Sequence, residues 1–387
     1  MMNLTDLPPE LLLSIFYFLR TRIVLTKVAC VCKLFYHLVS TEAIWKIRFT
    51  KSWPTRIKTH NDFRHISPRW KELCYKNEEF DEFWVHEKKI LSMTSVIQSY
   101  PIDSLLLMNS GRLLISGSRD RSICITNLEN MKKYENEFDL SKAPCSYINE
   151  HMGWIWRLVH DPINPERFCS GAWDGYIKLW DVQTLTCSES IHTATPPLCI
   201  SWTNDLLIAG CNDKTIRLID PRTFSMVEKL KNHTSSVLCL YASDDVIISG
   251  SDDQTLCVFD KKAGKVLKKL QLASPAFCLH HWSYGYDLLR VAGRKNIYDI
   301  SMDDRCYELI KTNGNTGHSK KINDFACFKG ALLTGSADGK LLVCEPSLSL
   351  SPTKLLHEGI HEITRLSTCE NILAMASSGG KLCLWRF

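Results

Sequence analysis

The sequence predicts a mainly β fold: seven blades of short strands closed into a ring, preceded by a small all-α module and a helical linker. Three observations predict it. A segment recurs about every forty residues along most of the chain, each copy shows strand-like alternation, and a helix-like apolar pattern is confined to the N-terminus. The boundaries that follow are residues 1–50 for the α module, 51–82 for a basic helical linker and 83–387 for the ring.

The first module opens on Leu7-Pro8-Pro9-Glu10, prolines that a first helical turn tolerates because its N–H groups have no partner. Leu11, Leu12, Ile15, Phe16, Phe18 and Leu19 then spread apolar surface around most of the helix. A second helical stretch is expected over Leu25, Val28, Ala29, Val31, Cys32, Phe35 and Leu38, and Trp45 closes the segment. That is more apolar surface than so small a unit buries internally, so the surplus needs a partner. The elements Leu7-Pro8-Pro9-Glu10, then Ile15 and Leu19, then Val31-Cys32-Lys33-Leu34-Phe35, then Trp45, closely resemble an F-box. The resemblance implies docking on the Skp-type adaptor of a cullin–RING ubiquitin ligase through Leu7, Pro8, Glu10, Ile15, Leu19, Val31 and Cys32. Val31 and Cys32 are also candidates for the module's own core.

Residues 1–80 carry thirteen Lys/Arg against seven Asp/Glu, a charge of +6 against +5 for the whole chain, so the rest of the chain is nearly neutral at about −1. Residues 46–80 interleave those cations with Trp53, Phe63, Trp70 and Tyr75, as a single-strand nucleic-acid platform would. The favoured reading is a helical spacer around Arg69-Trp70-Lys71-Glu72-Leu73-Cys74-Tyr75, and nucleic acid is not an expected partner.

The ring is read from its repeats. Ser170-Gly171-Ala172-Trp173-Asp174-Gly175-Tyr176-Ile177-Lys178-Leu179-Trp180-Asp181 is the fullest copy, and Ser249 to Asp260 is the next. Ala209 to Asp220, Ser116 to Asn127 and Thr334 to Glu345 align without gaps, and weaker copies surround Gly293 and Ala376. The small residue then falls at positions 117, 171, 210, 250, 293, 335 and 376, which makes seven units. Each unit reads as two short strands joined by a tight Asp-containing turn, after a period-two run such as Val237 to Tyr241. One such unit cannot bury both faces alone, and stacking seven radially leaves no long exposed sheet edge.

These units resemble WD40 repeats, which implies a seven-bladed WD40 β-propeller behind the F-box and helical linker. The family's polar tetrad maps onto His151, Ser170, Asp174 and Trp180. Repeat four has His233, Ser249 and Asp253 with Phe259 in place of Trp, and repeat six has His318, Thr334 and Asp338 with Cys344. Repeats three, five and seven are degenerate. The last repeat ends at its third strand, so its outer strand is expected from Phe83-Trp84-Val85-His86 or Ile90-Leu91-Ser92-Met93. The resemblance also implies a top face that binds a protein substrate. It maps there Trp154, Trp156 and Trp173 of blade two, Ser236, Leu238 and Asp252 of blade four, Lys321 and Asn323 of blade six, and Arg119 of blade one. Phosphate readers need clustered arginines, whereas Arg119, Arg157, Arg294 and Lys321 are spread along the sequence; the expected substrate is therefore not strictly phospho-dependent.

Several chemistries are set aside. His, Ser and Asp recur once per repeat, which marks a fold device, whereas an enzyme needs one such site. Gly314 to Lys321 lacks the order of a phosphate-binding loop. The seventeen cysteines contain no C-x-x-C, and Cys30-Val31-Cys32 has no partner at zinc spacing. Reduced thiols in the cytoplasm or nucleus are expected, with no metal, no cofactor and no membrane. The function this supports is the substrate-recognition subunit of an SCF-type cullin–RING ubiquitin ligase. The F-box holds the adaptor, cullin and RING subunits follow through it, and this chain is itself non-catalytic. A non-degradative F-box/WD40 scaffold is the alternative.

Overall fold

The computed structural model of the 387-residue chain describes residues 4–54, 56, 68–85, 91–129, 143–283, 285–302, 306–314, 316–347 and 350–387. Among the described residues five α-helices lie at the N-terminal end: α1 (Pro9–Tyr17), α2 (Thr21–Thr26), α3 (Lys33–Ser40), α4 (Glu42–Ser52) and α5 (Trp70–Phe80). Pro9 opens α1 behind Pro8. The second helical stretch is not continuous. It breaks after Thr26 into a 3-10 turn, Val28–Cys30, and Cys32 is extended before α3 starts. The break lets α3 fold back, so that Phe35 meets Phe16 edge-on at 5.1 Å and Trp45 donates its Nε1–H to the Val39 carbonyl at 2.7 Å.

The spacer helix α5 is fastened at both ends. Glu78 accepts from the Thr21 backbone N–H and hydroxyl, both at 2.6 Å, and from Arg48 at 2.8 Å. Toward the ring, the Arg69 N–H donates to the Gly285 carbonyl at 2.8 Å. Gly285 has φ +73°, and a Cβ there would lie 2.4 Å from Leu73 Cγ, so only glycine lets that turn come so near the helix. Arg56 reaches Asn77 at 2.6 Å, Asp81 at 3.0 Å and Glu345 at 3.1 Å, joining the segment after α4 to α5 and the sixth blade. One apolar core runs through Leu12, Phe16, Trp45, Leu73, Trp282 and Phe325, from α1 into the ring.

The ring consists of seven four-stranded sheets. Blades one to six span Ile102–Ile148, Ile155–His192, Pro197–Leu230, Val237–Gln271, Cys278–Asn313 and Ile322–Glu358. Blade seven takes Ile363–Cys369, Ile372–Ser377 and Lys381–Arg386 from the C-terminus, and Leu91–Val96 from the other end. Leu91 pairs with Arg386 and Val96 with Lys381, antiparallel, so the ring is closed by a strand borrowed from before blade one. Of the two expected donors, the one beginning at Ile90 supplies it. Phe83 to Val85 lie instead in a π-helical turn, Asp81–Val85, where Trp84 packs on Phe387 at 5.1 Å; His86 and Ile90 lie outside the described residues.

The repeat alignment needs one correction. Cys278 pairs with Ala292, as Cys239 pairs with Gly250 and Asp324 with Gly335, so the small residue of blade five is Ala292 and not Gly293. The turn between that blade's second and third strands is one residue shorter, since Ala292 pairs with Ile297 where Gly250 pairs with Leu256 and Gly335 with Leu341, so matching the third strands sets the glycine one place off. The helices meet the ring on the turns that follow inner strands and third strands of blades five and six, at Gly285, Lys329 and Glu345. The turns before inner strands, and those between second and third strands, form the opposite face.

Candidate functional site

On that opposite face the turns of blade two are held by a polar chain. His151 Nδ1 lies 2.8 Å from Asp174 Oδ2 and its Nε2 2.7 Å from Ser170 Oγ, while Trp180 Nε1–H donates to Ser170 Oγ at 2.7 Å. Asp174 also accepts from the Met152 and Tyr176 N–H groups at 2.9 and 3.0 Å. Burial pulls the Asp174 carboxyl upward, but the bonds from His151 and these amides outweigh it and hold it at about 2. Blades four and six keep the arrangement through His233–Ser249–Asp253 and His318–Thr334–Asp338. In each copy the Asp ties a turn to the loop before the inner strand, and the His is buried. The network is a positioning device for what lies above it.

What lies above it in blade two is aromatic. Trp173 donates its backbone N–H to the Trp154 carbonyl at 2.9 Å, and its ring sits 5.7 Å from Trp154 and 5.8 Å from Trp156. Arg119 of blade one lies over two of these rings, 5.2 Å from Trp154 and 6.0 Å from Trp156, and is fixed there by Asp103 at 2.7 and 3.2 Å. Trp154 remains 42% exposed and Trp173 40%, whereas Trp156 is half-buried.

Beside this cluster a cavity of about 160 Å³ opens at the mouth of the central channel. It brings together Arg119, Trp156, Leu238, Lys321 and Asn323 of the sequence-derived surface. Asp252 and Ser236 stay on the outer turn of blade four, bonded to each other through backbone at 3.0 Å, and do not line it. Three of the four cations read as scattered, Arg119, Arg157 and Lys321, converge here with Arg365; Arg294 is exposed elsewhere. Sequence reading missed Arg365, Asp103, Glu362 and Phe277, which also line the cavity. The signal was a register position. Ser104, Arg157, Cys199, Cys239, Cys278, Asp324 and Arg365 each pair with the small residue of the neighbouring strand and so ring the channel. Cys199, Cys239 and Cys278 fill three of those places, and burial pushes their thiols up, Cys199 to about 12, so none is a ready nucleophile. Among the described residues no group of three or more His, Cys, Asp or Glu could hold a metal ion.

At the helical end the seven adaptor candidates divide. Pro8, Glu10, Ile15 (40%) and Val31 (66%) are exposed; Leu7, Leu19 and Cys32 are half-buried against the core. Val31 therefore faces outward, and Cys32 packs inward. Exposed apolar side chains absent from the sequence-derived set join them: Leu11, Phe18 (85%), Tyr36 and Ile47 (56%). Phe18 and Ile47 flank a cavity of about 560 Å³ between α1 and α4. Among the described basic residues of 46–80, Arg48, Arg56 and Lys76 are spent within the molecule and Lys46, Lys51, Arg69 and Lys71 are exposed; Lys58, Phe63 and Arg64 lie outside the described residues. Arg48 is buried on Phe16, Leu19 and Glu78, Arg56 is paired with Asp81 and Glu345, and Trp53 donates to Asp81 at 2.6 Å.

Comparison with known proteins agrees with this division. The F-box-like family profile matches residues 4–51, and the profile described as WD domain, G-beta repeat matches residues 143–181 and 224–260. The chain is 30% identical to human F-box/WD repeat-containing protein 9 over 99% of its own length and 82% of that protein's. It is 31% identical to the Bos taurus protein of the same name with the same coverage. It is 26% identical to the Caenorhabditis elegans F-box/WD repeat-containing protein mec-15 over 61% of this chain and 59% of that protein.

Proposed function

The chain belongs to the F-box/WD repeat family, and from that premise we propose that it is the substrate-recognition subunit of an SCF-type cullin–RING ubiquitin ligase. The F-box holds a Skp-type adaptor through the exposed face that includes Pro8, Ile15 and Val31, with Leu11 and Phe18 extending it. Cullin and RING subunits are reached through the adaptor. The propeller holds a protein substrate on the face away from the helices, at the channel mouth and the Trp154–Trp156–Trp173 cluster. The chain contributes no bond-making group; it contributes distance and orientation.

One observation carries this reading. The F-box helices, α5 and blades five and six share a single buried core, with the apolar adaptor face and the aromatic mouth left exposed at opposite ends. A rigid body with two sticky ends is what transfer by proximity requires, because a fixed span keeps substrate lysines within reach of the ubiquitin donor. The internal use of Arg48, Arg56 and Trp53 weighs against a nucleic-acid platform in the linker. The reading places the protein in the cytoplasm or nucleus, where its seventeen free thiols stay reduced.

The test is affinity capture of the wild-type chain beside an Ile15→Asp/Val31→Asp variant, two exposed positions whose change spares the core. Adaptor and cullin retained by wild type and lost by the variant are the expected result. Capture of neither by the wild-type chain overturns the ligase reading.

A further inference from the structure

We infer that the channel mouth is a carboxylate-reading subsite. The segment it takes is a linear peptide bearing one Asp, Glu or chain-terminal carboxylate flanked by bulky apolar residues. This rests on the receptor reading above and gives it a substrate class.

The first support is charge without a partner. Of the seven channel-ring positions two are arginine, Arg157 and Arg365, on the blades either side of blade one. Arg157 Nε–H donates to the Leu198 carbonyl at 3.0 Å, and Arg365 donates to the carbonyls of Thr364 at 2.8 Å and Asn323 at 3.4 Å. Arg365 Nε is buried with no hydrogen-bond partner. Lys321, at the same cavity, sits 5.8 Å over the Phe277 ring. Among the described residues none of these three cations is ion-paired, whereas Arg119 beside them is held by Asp103. Two guanidinium groups fixed by carbonyls, with N–H groups left over, form a fork that suits a planar carboxylate. Burial first and the nearby Arg157 second pull Arg365 down to about 10, against the opposing pull of Asp324 and Asp103.

The second support sets the size of that anion. Asp103 and Glu362 line the cavity with the cations, and Asp324 lies in the ring below, where it accepts from the Cys278 thiol at 3.1 Å and the Leu366 N–H at 2.8 Å. A phosphoryl group near −2 would face Asp103 and Glu362 inside about 160 Å³, with Asp324 below, while a single negative charge matches the excess that remains.

The third support is the rim. Ile360 (100% exposed), Tyr100 (58%) and Met152 (75%) lie on the loops before the inner strands of blades seven, one and two, on the same face as the exposed Trp154 and Trp173. Large apolar side chains exposed on the face that carries the charged mouth mark a surface that a partner covers, and tryptophans are the commonest anchors of such contacts.

The test uses the full chain purified with its adaptor. Fluorescein-labelled nonapeptide pools carry randomised Leu, Phe and Val flanks around a central Asp, Glu, Asn, Gln, Ser or phosphoserine, each pool made as free acid and as amide. Polarisation reads binding. The expected result is at least about tenfold tighter binding of an acidic pool than of its amide isostere, whether the acid is central or terminal. Arg157→Gln and Lys321→Gln should each remove most of that preference, while Arg157→Lys keeps part of it and none of the three shifts the thermal transition. Asp and Asn pools that bind alike, as free acid and as amide, overturn the inference, as does a phosphoserine pool bound tenfold tighter than Asp. The adaptor is scored in the same preparations. Adaptor retention without acid preference removes this inference alone, and acid preference without adaptor removes the ligase reading alone.

Discussion

In blade two a chain of hydrogen bonds runs from Trp180 through Ser170 and His151 to Asp174 and ends in two turns of the mouth face. In blade five Val291 and Ile300 take the places of Ser170 and Trp180. Its buried polar pair is Arg290 and Asp299 on the other face of the sheet, both fully buried and 3.0 Å apart, with the guanidinium 3.9 Å over the Trp282 ring. Arg290 reaches on to the Ser347 carbonyl of blade six at 3.1 Å, and Trp282 belongs to the core shared with the helices. The contrast teaches that each blade keeps polar order where its own load falls. Blade two carries the tryptophans of the mouth. Blade five gave up the tetrad and spends its buried charge toward the seat of α5.

The largest effect should come from breaking the blade-five pair. Arg290→Met leaves Asp299 buried with the Asn313 amide at 3.1 Å as its remaining partner, and removing one member of a buried pair costs about 3–5 kcal/mol. Adding Asp299→Leu should return most of that loss, because the uncompensated charge is then gone. Denaturant titration of the two variants checks it. A single variant no less stable than the double would show that the ion pair does not organise blade five.

Next comes the seat. Gly285→Val puts a β-branched side chain at φ +73° and its Cβ 2.4 Å from Leu73. The backbone strain alone is worth about 1–3 kcal/mol, and α5 must move away. Spin labels on α4 and blade two should report a broadened distance distribution, with peptide binding at the mouth unchanged. A distribution as narrow as wild type would mean that Arg56 and Trp84 hold the helices without Gly285.

How much of this was legible follows from the same contrast. Blade two could be read outright, because Trp173, Asp174 and Trp180 stand at fixed spacing and the tetrad repeats in part elsewhere. The count of strands also showed that blade seven lacked one, but left two segments to supply it, and only the pairing of Leu91–Val96 with the last strand decides between them. Blade five could not be read outright: its turn between second and third strands is one residue shorter, and nothing in one sequence says that Ala292 takes the glycine's place. The channel ring was hidden for a related reason. Loop lengths differ between blades, so Arg157 and Arg365 share a register position without sharing a distance from the repeat's glycine or alanine. At the F-box the pattern named the helices, but the break at Lys27 to Cys32 decides which face Val31 takes. That break depends on α3 packing against Phe16, a tertiary fact.

Within blade two, His151→Ala should cost about 1–3 kcal/mol, since it strips Asp174 and Ser170 of a buried partner. The loss should appear first as faster hydrogen exchange in residues 149–156 and 171–176, and as weaker binding at the tryptophan rim. Uniform loss over the ring would argue that the tetrad stabilises the propeller as a whole and does not serve the mouth.

Acid should separate the two regions as well. Burial lowers His233, His280 and His318, so the unfolded chain takes protons first and stability falls as pH drops below the ordinary 6.5, in blades four, five and six. A second window belongs to the tetrads. Asp174, Asp253 and Asp338 are lowered against the pull of their own burial, so the stability they add is present above the ordinary 3.8 and lost as pH falls below it, toward about 2 for Asp174. Asp299 is shifted the other way, raised by burial despite Arg290 and Asn313, so protonating it costs blade five nothing in that window. Between pH 4 and pH 2 the further loss of exchange protection should therefore be larger in blade two than in blade five; a larger further loss in blade five would break the comparison.

The smallest effect is the sharpest on what the tetrad is for. Blade four has the His, Ser and Asp of blade two but Phe259 where blade two has Trp180, and its His233 still reaches Ser249 at 2.8 Å and Asp253 at 3.1 Å. Trp180→Phe makes blade two resemble blade four and removes a single bond, Nε1–H to Ser170 Oγ at 2.7 Å. Ser170 keeps His151, so the expected loss is about 1 kcal/mol from the bond, with a small addition for the volume left in a fully buried site. Because the turns are held through His151 and Asp174, the Trp154–Trp173 contact and peptide binding should survive, and a thermal shift of a few degrees should be the only change. If binding at the mouth falls with stability, Trp180 helps to place the rim. Blade four, with its phenylalanine, would then be the looser wall of the channel.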